Sequence, residues 1–196
     1  MNVLGISEGF HDAGVCLLKN DKIHFASHSE RHSLKKGDKW IHPDQLPKTQ
    51  KYKPDVIAYY EKPFRKNLRR VYAGQKWQKP RRKYDVYFGH HESHAAAGYY
   101  TAPFDECNVL VIDAIGEWDT MSIWKGSVEN GYMGQKTHTL KKLSSWKYPH
   151  SLGLLYSAIT QRIGLKPNED EYITMGMAAF GDPKYDLENQ LWENNH

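Results

Sequence analysis

Cysteine is scarce in this chain of 196 residues: Cys16 and Cys107 are the only two, far apart and each in an apolar, strand-like context. Two isolated thiols read as buried and free in a reducing compartment rather than as a disulfide. Long hydrophobic runs are missing too. None approaches the roughly 20 residues of a membrane span, so no membrane association is expected. The opening MNVLGISEGFHDAG lacks a basic n-region and a long apolar h-region, which argues against a secretory signal and for a cytoplasmic location. No repeat of about 20 to 50 residues and no low-complexity tract stands out. Acids are absent from residues 62–83, KPFRKNLRRVYAGQKWQKPRRK, which hold ten Lys or Arg.

What is present describes a soluble globular protein, since 39% hydrophobic and 26% charged residues place it away from disorder. The length suits one domain or two small lobes. The basic tract Lys62–Lys83, with Tyr72 and Trp77, offers a stripe for phosphate or nucleic acid. A solvated helix face followed by a basic loop is the plainer reading.

Segments 2–7, 13–20 and 22–30 read as a three-strand meander, and 56–61, 84–88, 108–114 and 120–127 as further strands. SERHSLKKGDKWIHP (29–43) reads as a polar, irregular loop. FRKNLRRVYAGQKW and Ser93–Tyr100 have helical character. SLGLLYSAITQRIG (151–164) is an amphipathic helix with Ser151 as N-cap and Gly164 as its end, and EYITMGMAAFG (171–181) is a shorter one. Strand pairs followed by helices predict an α/β fold, in which hairpin loops present backbone and acids to a ligand.

Three histidines fall within five residues in FGHHESHAAAGYY (88–100). On a helix His90 and His94, at i and i+4, share one face and can bind one cation. His91 and His94, at i and i+3, are an alternative pair, and exposed histidines at a helix start are the plain one. The zinc-protease pattern fails on register, because His91-Glu92-Ser93-His94 is one residue short. In VLVIDAIGEWDT, Asp113 ends a buried strand and Gly116 follows, a common place for a metal- or phosphate-linked acid. Two imidazoles and one carboxylate make an N,N,O face suited to Fe2+, Mn2+ or Zn2+ with positions left open. A turn residue is the alternative for Asp113. His11 and Asp12 lie at a turn between two strands, where His11 can serve as a general base or the pair can be a polar hairpin tip. Lys166, Asn168 and Glu171 occupy the loop between the last two helices, a candidate ligand wall.

Taken together, GIS (5–7), HD (11–12), ERHSLKK (30–36), HHESHA (90–95), DAIGEWDT (113–120), PHSLGLLYSA (149–158) and EYITMGMAAFG (171–181) resemble the N-terminal domain of the O-carbamoyltransferases of the nodulation-factor, cephamycin and tobramycin type. Order and approximate spacing agree from residue 3 to about residue 183, and YYEKPFRK (59–66) fits the same pattern. The resemblance implies that residues 1–196 are part of an actin/sugar-kinase-like (ASKHA) two-lobed domain, similar to the universal tRNA threonylcarbamoyl transferase. It implies transfer of a carbamoyl group to a substrate hydroxyl. The donor would be carbamoyl adenylate, made from ATP and carbamoyl phosphate by a second domain similar to threonylcarbamoyladenylate synthase. By motif position, His90, His94 and Asp113 would ligate the metal, Fe2+ first and Mn2+ or Zn2+ next. His11 would be the base or orienter with Asp12 beside it at the acceptor, and Lys36 would contact the adenylate. His91, Gly116, Asn168 and Glu171 would line the nucleotide or carbamoyl pocket.

Position 34 is Leu where the family usually has Arg, and position 32 is His where an aromatic is usual. Family members are more than twice as long, so a separate chain carrying the second lobe and the adenylate-forming domain is the expected partner, with the amphipathic helix 151–164 against it. The acceptor is a small-molecule or nucleoside alcohol. The alternatives are a non-catalytic metal- or nucleotide-binding module, a truncated remnant, and a factor modifying tRNA or a DNA base.

Overall fold

The computed structural model describes residues 1–45, 53–130 and 135–184, which form two units, Met1–Ser151 and the residues from Leu152 onward. The closing ENQLWENNH lies outside the described residues. Among those described, no helix is long and apolar enough to cross a membrane.

The first unit is mixed α/β. Strands β1 (Asn2–Ser7), β2 (Gly14–Lys19) and β3 (Lys22–His28) form the expected antiparallel meander. Alternation along β1 and β2 places Leu4, Ile6, Val15 and Leu17 on one buried face. Strand β4 (Val56–Tyr59) adds parallel to β1, and the short β5 (Val86–Tyr87) adds parallel to β4, giving the order β3-β2-β1-β4-β5. Parallel pairing needs a crossover, and helix α2 (Pro63–Tyr72) lies in the one between β4 and β5. Strands β6 (Cys107–Gly116), β7 (Asp119–Asn130) and β8 (Lys136–Lys147) make a separate antiparallel sheet. Helix α3 (His90–Thr101) covers it through Ala95, packed with Val111 and Trp124.

Several boundaries differ from those read in the sequence. The stretch 29–43 is not wholly irregular. A single helical turn, α1 (Glu30–Ser33), ends at Leu34 in the left-handed conformation (φ 55°), and a 3-10 turn spans Pro43–Gln45. Helix α2 stops before GQKW because Gly74, at φ +71°, turns the chain out of the helix. The strand at 84–88 shrinks to two residues, since Tyr84 instead stacks on Tyr59 at 4.3 Å and donates to Glu8 at 2.6 Å. Helix α3 begins at His90, earlier than Ser93, so all three histidines are helical.

The second unit contains α4 (Leu152–Arg162) and α5 (Glu171–Ala178). Gly164, at φ +90°, lies just past the end of α4. The side chains that join the two helices are polar: Ser157 donates to Glu171 at 2.6 Å, and the Thr160 and Thr174 hydroxyls are 2.9 Å apart. Ser151, the last residue of the first unit, donates to the Ala114 carbonyl within that unit at 2.7 Å.

Candidate metal centre

The centre forms where the start of α3 meets the end of β6. Glu117, in the β6–β7 turn at φ 59°, accepts hydrogen bonds from the backbone N–H of Lys62 at 2.7 Å and of His90 at 3.3 Å. A carboxylate on the first free N–H of a helix is favoured by the helix dipole and satisfies an otherwise unpaired donor. Ser93 donates to the Tyr60 carbonyl at 2.8 Å and ties the same helix start to the residue just after β4. Helical spacing then puts His90 and His94 one turn apart, with their Nε2 atoms 3.1 Å from each other.

Asp113 completes the set. Its Oδ2 is 2.8 Å from His90 Nε2, and one ligand atom from each of His90, His94 and Asp113 falls within 4.8 Å of the others. The Asp113 carboxylate also accepts from the Ala114 N–H at 2.7 Å, which fixes its orientation. On its other side, His90 Nδ1 faces Glu61 Oε2 at 3.8 Å, and Glu61 Oε1 is 2.5 Å from Lys66 Nζ. A carboxylate behind a ligating imidazole is the usual way a metal-binding histidine is oriented.

The electrostatics follow from this chain of alternating charge. Burial works to lower the His90 pKa, but Asp113 and Glu61 outweigh it and raise it to about 9. Burial works to raise the Asp113 carboxyl, but His90 outweighs it and holds it down to about 2. Glu61 is likewise raised by burial and pulled below its ordinary value by His90 and Lys66. Burial lowers His94, and the neighbouring His90 adds to that, so His94 favours the neutral form a metal needs.

His91 and Gly116 line the same corner. His91 is buried, its Nδ1 2.8 Å from Ser122 Oγ, while its Nε2 is buried without a partner among the described residues. Gly116 passes so close that a Cβ there would meet His91 Cδ2 at 2.6 Å and His90 Cγ at 2.9 Å. Glycine is thus required for the close approach of β6 to the histidine rings.

A second cluster gathers around the β1–β2 turn. His11 Nδ1 donates to Asp12 Oδ2 at 2.6 Å, both side chains being largely exposed. Burial would raise the Asp12 carboxyl, but the bond from His11 contributes to a net lowering. The loop that carries Lys36 lies against this turn: the Gly9 and Ala13 N–H groups donate to the carbonyls of Lys39 and Asp38, each at 2.7 Å. Phe10 links the two clusters, since its ring is 4.6 Å from that of His11 and 5.1 Å from Lys66 Nζ. Asn168 and Glu171 belong to the second unit. There Asn168, at φ 63°, donates its N–H to Glu171 Oε1 at 2.6 Å.

The sequence reading missed Glu61, Lys66 and Glu117. A carboxylate directly after the apolar strand VIAYY was the available signal for Glu61, the same signal that marked Asp113. The basic tract is also not one solvated face. Lys66 and Asn67 are buried, Arg82 Nε is 3.3 Å from Glu8, and Arg81 lies 3.5 Å over the Trp40 ring.

Comparison with known proteins places the chain in a family. Residues 55–195 match the carbamoyltransferase N-terminus family. An uncharacterized protein of Synechocystis sp. is 31% identical over 226 aligned residues, covering 94% of this chain and 35% of that protein. One from Methanocaldococcus jannaschii is 31% identical over 181, covering 91% and 33%. The nodulation protein NolNO of Sinorhizobium fredii is 31% identical over 109 residues, 55% of this chain and 15% of its own. The chain belongs to the carbamoyltransferase N-terminus family, and it spans about a third of the length of the first two of these relatives.

Proposed function

We propose that this chain is the acceptor-side portion of an O-carbamoyltransferase, with an ASKHA-type lobe that holds a divalent cation at His90, His94 and Asp113. The observation that carries the reading is the convergence of those three ligand atoms within 4.8 Å, on two of the family's motifs. Two imidazoles and a carboxylate with an oriented ring behind them suit Fe2+, Mn2+ or Zn2+. When bound, the cation supplies Lewis-acid polarisation of the carbamoyl oxygen.

The chain's own residues account for the rest. With Nδ1–H held by Asp12, neutral His11 carries its lone pair on Nε2, the atom that would take the proton of an attacking hydroxyl. Lys36, on the loop held against that turn, offers a positive charge to the phosphate of carbamoyl adenylate. An open concavity of about 1060 Å³, lined by Ser7, Ser27, Arg31, Tyr60, Glu92 and Ser93 among others, runs between the five-stranded sheet and α3 and provides room for a nucleotide. For Asn168 and Glu171, nucleotide contact rests on the resemblance alone. The adenylate-forming step and the second lobe would come from more of the same polypeptide or from a separate chain.

The test has two readings. Metal content of anaerobically purified chain should fall by one equivalent between wild type and His90→Ala/His94→Ala. Carbamoyl adenylate should bind the metal-loaded wild type and bind the double variant at least tenfold more weakly. Equal metal content in both proteins, or equal affinity for the adenylate, overturns the reading.

A further inference from the structure

A second donor set lies away from this centre, on elements that the proposed reaction does not use for metal. His32, on α1, and His42, just before the 3-10 turn, stack nearly parallel, with ring centroids 5.4 Å apart and planes 12° from one another. Asp44, on that turn, brings Oδ2 to 3.6 Å from His42 Nδ1. One ligand atom from each of the three falls within 4.8 Å of the others.

The donors are held by their surroundings. Ser29 and Gln45 are fully buried, and Ser29 Oγ donates to Gln45 Oε1 at 2.7 Å. Both oxygens accept the His42 N–H, at 3.1 and 2.9 Å, and Gln45 Nε2 donates to the Ser27 carbonyl at 2.9 Å. This network fixes the backbone of His42 against the residue that begins the turn of α1. Ser27 Oγ is 3.0 Å from His32 Nε2, so the His32 ring is oriented by a hydroxyl as ligating imidazoles commonly are. Two short elements, too small to be stable alone, are thereby kept in one register. Their three donors lie close together, each within 4.8 Å of the others, and Asp44 is open to solvent.

We infer that His32, His42 and Asp44 form a second divalent-metal site, an N,N,O set for a borderline cation such as Zn2+, Co2+ or Ni2+. Its ligands are separate from His90, His94 and Asp113. An ion there clips α1 to the 3-10 turn and closes the loop 33–41, which contains Lys36. Position 32 carries the donor that makes the set possible.

The test uses the full chain carrying His90→Ala/His94→Ala, titrated with Zn2+ by calorimetry and with Co2+ by visible absorption. One equivalent should bind, with the Co2+ d–d bands of nitrogen and oxygen ligation. His32→Phe keeps a ring against His42 and removes both nitrogens, and it should weaken binding at least tenfold. Asp44→Asn, at an exposed position that the fold tolerates, should also weaken it at least tenfold. Absence of the equivalent in the double variant, or unchanged affinity in Asp44→Asn, overturns the inference. If His32→Phe fails to fold, Asp44→Asn decides. Retention of this equivalent while His90→Ala/His94→Ala removes none would leave this site standing and overturn the first.

Discussion

His90 stands between two carboxylates, and each does a different job. Asp113, at 2.8 Å, shares the face that a cation would occupy, while Glu61, at 3.8 Å, stands behind the ring and is itself neutralised by Lys66. Glu61→Gln keeps the shape and removes the charge. Metal affinity at this centre should fall about 10- to 100-fold. The side chains of Glu61 and Lys66 are only 4% and 10% exposed, so the orphaned Lys66 charge should cost about 3–5 kcal/mol of stability. Metal titration and urea unfolding of the same variant check both numbers. Gly116 presents the opposite constraint, a place where nothing can be added. Gly116→Ala should push the His90 and His91 rings from their positions, with about 1–3 kcal/mol of overpacking and at least a tenfold loss of metal affinity. Circular dichroism melts and metal titration read the two effects separately.

Helix α3 carries two of the proposed ligands, so its seating on the three-stranded sheet sets their position. Tyr99 is its largest fully buried side chain: it is 1% exposed, and its hydroxyl donates to the Asp105 carbonyl at 2.9 Å and lies 3.1 Å from His138 Nδ1. Its ring lies directly over Gly126 of β7, where an added Cβ would sit 2.7 Å from Tyr99 Cγ. The ring is buried and its hydroxyl is held at the far end, so Gly126→Ala should destabilise the fold by about 1–3 kcal/mol. A thermal melt should show the midpoint lowered by about 2–4 °C per kcal/mol. Elements with clear periodicity were legible in the sequence, as β1, β2 and β6 show. Strand β8 was not: KTHTLKKLSSWK is mostly exposed and polar, and only pairing with β7 makes it a strand. The turn at Glu30–Ser33 was equally hidden, because four residues carry too little local signal and bonds to Ser29 and Leu34 hold it.

At the scale of the molecule, all three proposed ligands of the first centre lie within Met1–Ser151, so binding there is coupled to the folding of that whole unit. Mn2+ at about a hundred times its dissociation constant should stabilise the unit by about 2.7 kcal/mol. Differential scanning calorimetry should show that shift in wild type and its loss in His90→Ala/His94→Ala. The α/β class and His90, His94 and Asp113 were legible because a helix repeat and a strand end can be read locally. Their mutual distances were not, since they depend on β6 and α3 meeting across a sheet that the sequence does not display.

The sequence by itself determined the family, the meander of β1 to β3, the histidines one helical turn apart and the acid at the end of β6. Each of these rests on residue order, on a fixed repeat of 3.6 or 2, or on a turn residue. Only the tertiary structure decided that Glu61 and Glu117, from segments distant in the chain, orient His90 and cap its helix, and that His32, His42 and Asp44 come together. Those relations come from burial, where a charge must find an opposite charge or a hydrogen bond. The partners that satisfy it are chosen by chain crossings, not by spacing along the chain.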